Sequence, residues 1–214
     1  MKRMAGISIE ALQKKYGDRR ALEIAQEIGA DAVDFNLKFE PYAEDSLYAE
    51  GDEAVDAYYR ELGAYAKALG LIVSQTHGRC RTFRGDAEWD AATVEKCRLD
   101  CLATAALGAP VCVIHSVTTS AVGPDAEPQY IRDLNHSMFM QILPHAKQYG
   151  VKIAAETFGD SPKFGCIDFF GDLDEFVLAC RKIEKTEYRD WFTVCVDTGH
   201  SNKAMRFGNP ARGM

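Results

Sequence analysis

Leu107-Gly108-Ala109-Pro110-Val111-Cys112-Val113-Ile114-His115 joins a helix end, a strand and a polar strand terminus in one short stretch. Glycine adopts the left-handed conformation that closes a helix at the least steric cost. The apolar, β-branched run from Val111 follows almost at once, and His115 ends it. The same order recurs at Ile28-Gly29-Ala30-Asp31, Leu69-Gly70-Leu71 and Tyr149-Gly150-Val151. Strands are expected from Gly6 to Ile9, Ala32 to Leu37, Ile72 to Thr76, Val111 to His115, Lys152 to Thr157 and Phe192 to Asp197. Between them Val55, Tyr58, Leu62, Tyr65 and Leu69 recur at helical spacing, as do Val94, Cys97, Cys101 and Ala105. Arg20 to Ile28, Pro128 to Tyr149 and Leu173 to Ile183 are further helices, the last with Asp172 as its cap. Strand, helix, glycine, strand is the pattern of βα units joined by right-handed crossovers into a parallel sheet.

The strands from Ala32 onward start at intervals of 39 to 41 residues. So even a pitch fits a barrel of like units better than an open doubly wound sheet. Ser8-Ile9-Glu10-Ala11-Leu12, after the first strand, is not the glycine-rich phosphate loop of an open sheet. The expected fold is an α/β, TIM-type (β/α) barrel spanning residues 1–214 as a single domain. Six strands are used by Asp197, and two further units would need about 80 residues in a barrel that runs to about 250. The expectation is therefore an incomplete barrel with six of eight βα units, truncated at its C-terminal side.

The charge balance is 25 Lys+Arg against 32 Asp+Glu, a net charge of −7, with pI near 5.3. An acidic chain lacks the phosphate-neutralising surface of a duplex binder, so nucleic acid is disfavoured as a partner. The 47% hydrophobic and 27% charged content is that of a globular chain that builds a core without staples. No apolar run reaches the roughly 18 residues of a membrane span. The seven cysteines are an odd number without regular spacing, which argues against a disulfide framework or structural zinc and for a reducing cytoplasm.

In a parallel barrel the active site forms where the strands end. Those ends carry His77, His115, Glu156 and Asp197 with His200, while His136 and His145 fall inside a helical pattern as surface or capping residues. A carboxylate after Ile153-Ala154-Ala155 needs a partner, a cation or a metal, and so does Asp197 after Val194-Cys195-Val196. A mixed Glu, Asp and His set suits a divalent ion such as Mn, Mg, Co or Zn. Trp89, Phe158 and Phe164 are either pocket walls or core. Arg79, Arg81 and Arg84 are either a phosphate cluster or a solvated loop face.

Phe192-Thr193-Val194-Cys195-Val196-Asp197-Thr198-Gly199-His200 resembles the Asp-Thr-Gly-His segment of the xylose-isomerase-like barrel superfamily. That superfamily holds sugar and sugar-phosphate isomerases and epimerases together with endonuclease IV. Val151 to Glu156 is similar to its strand bearing a glutamate metal ligand. Val111 to His115 and Val73 to His77 are similar to its two histidine-ended strands, and Ala32 to Leu37 to its second strand. The resemblance implies that Glu156 and Asp197 bind a divalent metal, that Glu156 also moves a proton, that His200 contacts substrate or metal, and that His77 and His115 contact substrate. It implies a metal-dependent isomerase or epimerase acting through an enediolate on a small sugar or sugar phosphate. The family's second carboxylate and another metal-binding histidine, from strands 7 and 8, have no counterpart here. Two alternatives stand beside it: an endonuclease-IV-like repair nuclease, and a non-catalytic truncated barrel that binds a partner or forms a homo-oligomer through its open edges.

Overall fold

The computed structural model describes residues 4–37, 46–78, 82–157 and 173–200. In chain order these form β1 (Gly6–Ser8), α1 (Glu10–Tyr16), α2 (Asp18–Glu27), β2 (Ala32–Asn36), α3 (Asp52–Ala68), β3 (Ile72–His77) and α4 (Ala87–Ala106). There follow β4 (Val111–Ile114), α5 (Thr119–Val122), α6 (Pro128–Tyr149), β5 (Lys152–Glu156), α7 (Leu173–Glu184) and β6 (Phe192–Cys195). The strands follow chain order from β1 to β6, and every described pairing is parallel. This is an α/β fold of TIM-barrel type, with six parallel strands alternating with helices among the described residues. No helix among them is long and apolar enough to cross a membrane.

The helix-ending glycines behave as their positions require. Gly29, Gly70, Gly108 and Gly150 have φ of 82°, 77°, 76° and 71°, the left-handed region where a Cβ is costly. Most strand ends fall one or two residues short of the sequence reading, because the chain leaves the ladder to build the loops that carry the polar residues. β3 instead runs one residue further and takes in His77. The helix expected from Arg20 begins at Asp18, and α1, which the sequence reading lacks, precedes it across Gly17 at φ 78°. Asp172 lies outside the described residues.

The chain divides into two compact units. The first comprises Met1–Arg79, Cys97–Val113 and Tyr149–Val151. Its core is built from alternate strand residues, Val33, Phe35 and Leu37 of the β2 segment and Val73 of β3, against Leu22, Val55, Tyr59, Leu62 and Leu102 of the helices. Burial of each such side chain contributes about 1.5–3 kcal/mol. Polar contacts also lie inside this core. Tyr48 donates to Asp100 Oδ1 at 2.9 Å. Thr104 Oγ1 donates to the Asp100 carbonyl at 2.6 Å, so the hydroxyl of Thr76, 2.6 Å from Thr104 Oγ1, is the donor of that contact. Gly63 sits in mid-α3 because a Cβ there would lie 2.7 Å from the carbonyl oxygen of Leu107 and 2.9 Å from its carbonyl carbon.

The second unit comprises Cys80–Lys96, Ile114–Gln148 and Lys152–Met214. Phe139 of α6 meets Phe192 of β6 edge-on at 5.6 Å, a preferred aromatic arrangement. Arg132 of α6 forks onto Glu175 of α7 with two bonds of 2.8 and 2.5 Å. Asn135, only 2% exposed, clamps the loop after β4. Its Oδ1 accepts from Val117 N at 2.8 Å, and its Nδ2 donates to Val117 O at 3.3 Å and to Ile131 O at 3.1 Å. The cysteines at 97, 101, 112, 180 and 195 are free thiols; Cys80 and Cys166 lie outside the described residues.

Candidate active site at the ends of β5 and β6

The site in the second unit follows from strand register. β5 pairs with β6 so that Glu156 stands opposite Cys195. Ile153, Ala154 and Ala155 are at most 1% exposed and carry Glu156 to the strand end, where it is 2% exposed itself. Small alanines before the glutamate leave room around its carboxylate. One residue on, Thr157 N donates to the Cys195 carbonyl at 3.1 Å, which continues the ladder past the formal strand.

Thr157 then holds the opposite strand end twice. Its hydroxyl accepts from Asp197 N at 2.9 Å, and its carbonyl lies 3.0 Å from His200 Nδ1. A carbonyl only accepts, so that bond requires the proton on Nδ1 and leaves the lone pair of His200 on Nε2. Asp197 caps the turn it opens, since its Oδ1 accepts from His200 N at 2.9 Å in the manner of an N-cap. Gly199 permits this curl, because a Cβ there would stand 3.0 Å from Asp197 Oδ1. Asp197 Oδ2 is 3.2 Å and Glu156 Oε1 3.7 Å from His200 Nδ1. From the loop clamped by Asn135, His115 brings its Nε2 to 2.8 Å from Glu156 Oε2.

Two carboxylates and two imidazoles thus converge. Single ligand atoms of Glu156, Asp197 and His200 lie within 4.8 Å of one another. Oxygen and nitrogen donors with two negative charges in a partly buried setting match a divalent cation. His77, in the first unit, has its Nδ1 3.4 Å from Asp34 Oδ2. His136 and His145 are half-buried within α6.

Trp89 is half-buried and donates from its indole to Thr82 O at 2.9 Å. Arg84 stacks over its ring at 3.6 Å, so the structure gives Arg84 an aromatic platform. Arg79, Arg81, Phe158 and Phe164 lie outside the described residues. The sequence reading missed Thr157 and Asn135. Thr157 was signalled by its place directly after the glutamate; Asn135 had no signal, being a polar residue inside a long helix.

A family profile of xylose isomerase-like TIM barrels matches residues 22–212. The chain belongs to that family. Among solved structures, a putative xylose isomerase from Rhodospirillum rubrum ATCC 11170 is 15% identical, with a TM-score of 0.74 over 100% of this chain and 71% of that one. The 3-keto-D-glucoside 4-epimerase of E. coli is 15% identical, with a TM-score of 0.70 over 94% of this chain and 70% of that one. The IolI protein with a bound zinc atom is 16% identical, with a TM-score of 0.66 over 98% and 67%. At such identities the likeness establishes the barrel family's shared fold. No curated protein sequence matches the chain.

Proposed function

We propose that this member of the xylose isomerase-like family is a divalent-metal-dependent isomerase or epimerase of a small sugar or sugar phosphate, and that residues 1–214 form one domain of that barrel. The observation that carries the reading is Glu156, a buried carboxylate at a strand end with His115 at 2.8 Å and Asp197 and His200 beside it. The epimerase and isomerase names among the fold's relatives support the same class of chemistry. So does the acidic net charge of −7, which favours a small substrate over a nucleic-acid duplex.

Glu156 and Asp197 would hold the metal, which is Mn, Co, Mg or Zn. When bound, such an ion polarises a carbonyl and stabilises negative charge on vicinal oxygens. Glu156 would take the proton from the carbon beside the substrate carbonyl, giving an enediolate. Return of the proton to the former carbonyl carbon completes an isomerisation, and protonation of the first carbon from the opposite face an epimerisation. His115 sets the charge and direction of the Glu156 carboxylate. His77, His115 and His200 contact the substrate oxygens, with His200 offering its Nε2 lone pair to a hydroxyl.

The test is proton exchange with solvent. The chain is incubated in D2O with a divalent metal and a panel of ketoses and ketose phosphates, and NMR reads deuterium at the carbon next to the carbonyl. Exchange that Glu156→Gln abolishes is the expected result. Calorimetric titration with Mn or Co is run alongside. Absence of both exchange and metal binding in the parent chain overturns the proposal.

A further inference from the structure

β2 and β3 are out of step by one residue. Ala32 pairs with Ile72 and Val33 with Val73, but Asp34 pairs with Gln75 and Asn36 with His77. Ser74 is the extra residue, a bulge in β3. Its hydroxyl donates to the Val33 carbonyl at 3.0 Å, so an acceptor beside the bulge is not left unmet.

The bulge decides where His77 points. Side chains alternate between the faces of a strand, and one inserted residue reverses every later side chain. Without the bulge, with Ser74 in the regular ladder, His77 would stand opposite Leu37 on the face that carries Val73 and Phe35, buried against the helices. With it, His77 stands opposite Asn36, on the same face as Asp34 and Gln75.

Asp34 is what His77 meets there. Oδ2 lies 3.4 Å from His77 Nδ1, and both side chains are 18% exposed. The other oxygen, Oδ1, is buried with no hydrogen-bond partner among the described residues. A buried carboxylate oxygen without a partner is costly, and an amide or an apolar side chain would fill the same space at less cost. The charge is therefore kept for the imidazole. A carboxylate facing Nδ1 selects the form with the proton on that nitrogen and leaves the lone pair on Nε2.

We propose that Asp34 is a positioning residue for His77, that the Ser74 bulge brings the two together, and that His77 thereby presents Nε2 as a fixed acceptor for a substrate hydroxyl. The hydroxyl-accepting role rests on the proposed function; the orientation of the imidazole does not.

Long-range proton–nitrogen NMR of the substrate-free, nitrogen-15-labelled chain reads it directly, at about pH 8.5, some two units above the ordinary histidine value. His77→Gln assigns the signals. The expected result is a protonated Nδ1 and a bare Nε2 in the parent. Asp34→Asn, whose amide oxygen still accepts, keeps that form. Asp34→Val shifts the population toward protonated Nε2. A parent His77 protonated on Nε2 overturns the proposal whether or not any variant folds, and so does an unchanged His77 spectrum in Asp34→Val. Because no substrate is present, failure of the isomerase reading leaves this result standing.

Discussion

Replacing Asn135 by Ala is a direct probe of how the fold holds the candidate active site. The side chain satisfies Val117 N at 2.8 Å, Ile131 O at 3.1 Å and Val117 O at 3.3 Å. The losses are unequal. Ile131 O also belongs to the repeating bonds of α6, and the contact to Val117 O is long, so most of the cost falls on Val117 N. Asn135 and Val117 are 2% and 0% exposed, so water does not readily replace the lost acceptor. An orphaned buried donor costs about 1–3 kcal/mol, and the space vacated by the amide adds roughly 1 kcal/mol. Asn135→Ala is therefore expected to lower the unfolding free energy by about 2–4 kcal/mol in urea titration. Hydrogen exchange at the Val117 amide should accelerate by more than at amides in α4.

Asn135→Asp separates the two roles of the side chain. The carboxylate still accepts from Val117 N but faces two carbonyls, and burial raises its pKa in the folded state. The folded variant then binds its proton at a higher pH than the unfolded chain. Its deficit is greatest near neutrality and shrinks as pH falls through the folded pKa. An Asn135→Ala loss below about 0.5 kcal/mol, the scale of an ordinary surface change, with Val117 protection intact, would refute the clamp.

Gly63→Ala should destabilise the chain by about 1–3 kcal/mol, because the new methyl meets fixed backbone at Leu107 and forces the packing apart; thermal melting reads it. His136 is held below its ordinary pKa, chiefly by burial and then by Lys182. The unfolded chain therefore takes up its proton first as pH falls below about 6.5, and stability drops between that value and the folded pKa. His136→Asn should flatten this fall in urea titrations from pH 7 to 5. Burial pushes Cys101 well above the ordinary thiol range and Cys180 up to about 11. Thiol titration at pH 8 should therefore find both unreactive until denaturant is added.

The strands and their order were legible because the glycine stops and apolar runs are local signals that the backbone must obey. Pro128 and Tyr149 bound α6 as read, even with Pro144 inside it. α1 was not legible: seven residues are too few to show a period. At the site, Glu156, Asp197, His115 and His200 were found because a charged or imidazole side chain ending an apolar run is conspicuous. The bulge at Ser74 was hidden, because Ile72-Val73-Ser74-Gln75-Thr76-His77 reads equally well in either register and only pairing with β2 decides it. Asp34 did carry a signal, a carboxylate between Val33 and Phe35, though its use depends on a residue 43 positions away.

Thr157 touches Asp197 with its hydroxyl and His200 with its carbonyl while following Glu156 directly in the chain. One residue thus ties the end of β5 to the next turn, and the three site residues share a common hinge point. Substitutions among them should not combine as independent losses. Once Thr157 has lost its hydroxyl, a further change at Asp197 has less geometry left to spoil, and the double variant should lie closer to its parent than the two single effects would sum to. Any evolutionary path through this corner of the barrel is accordingly order-dependent: a replacement tolerated after Thr157 has changed is one that would have been rejected before it.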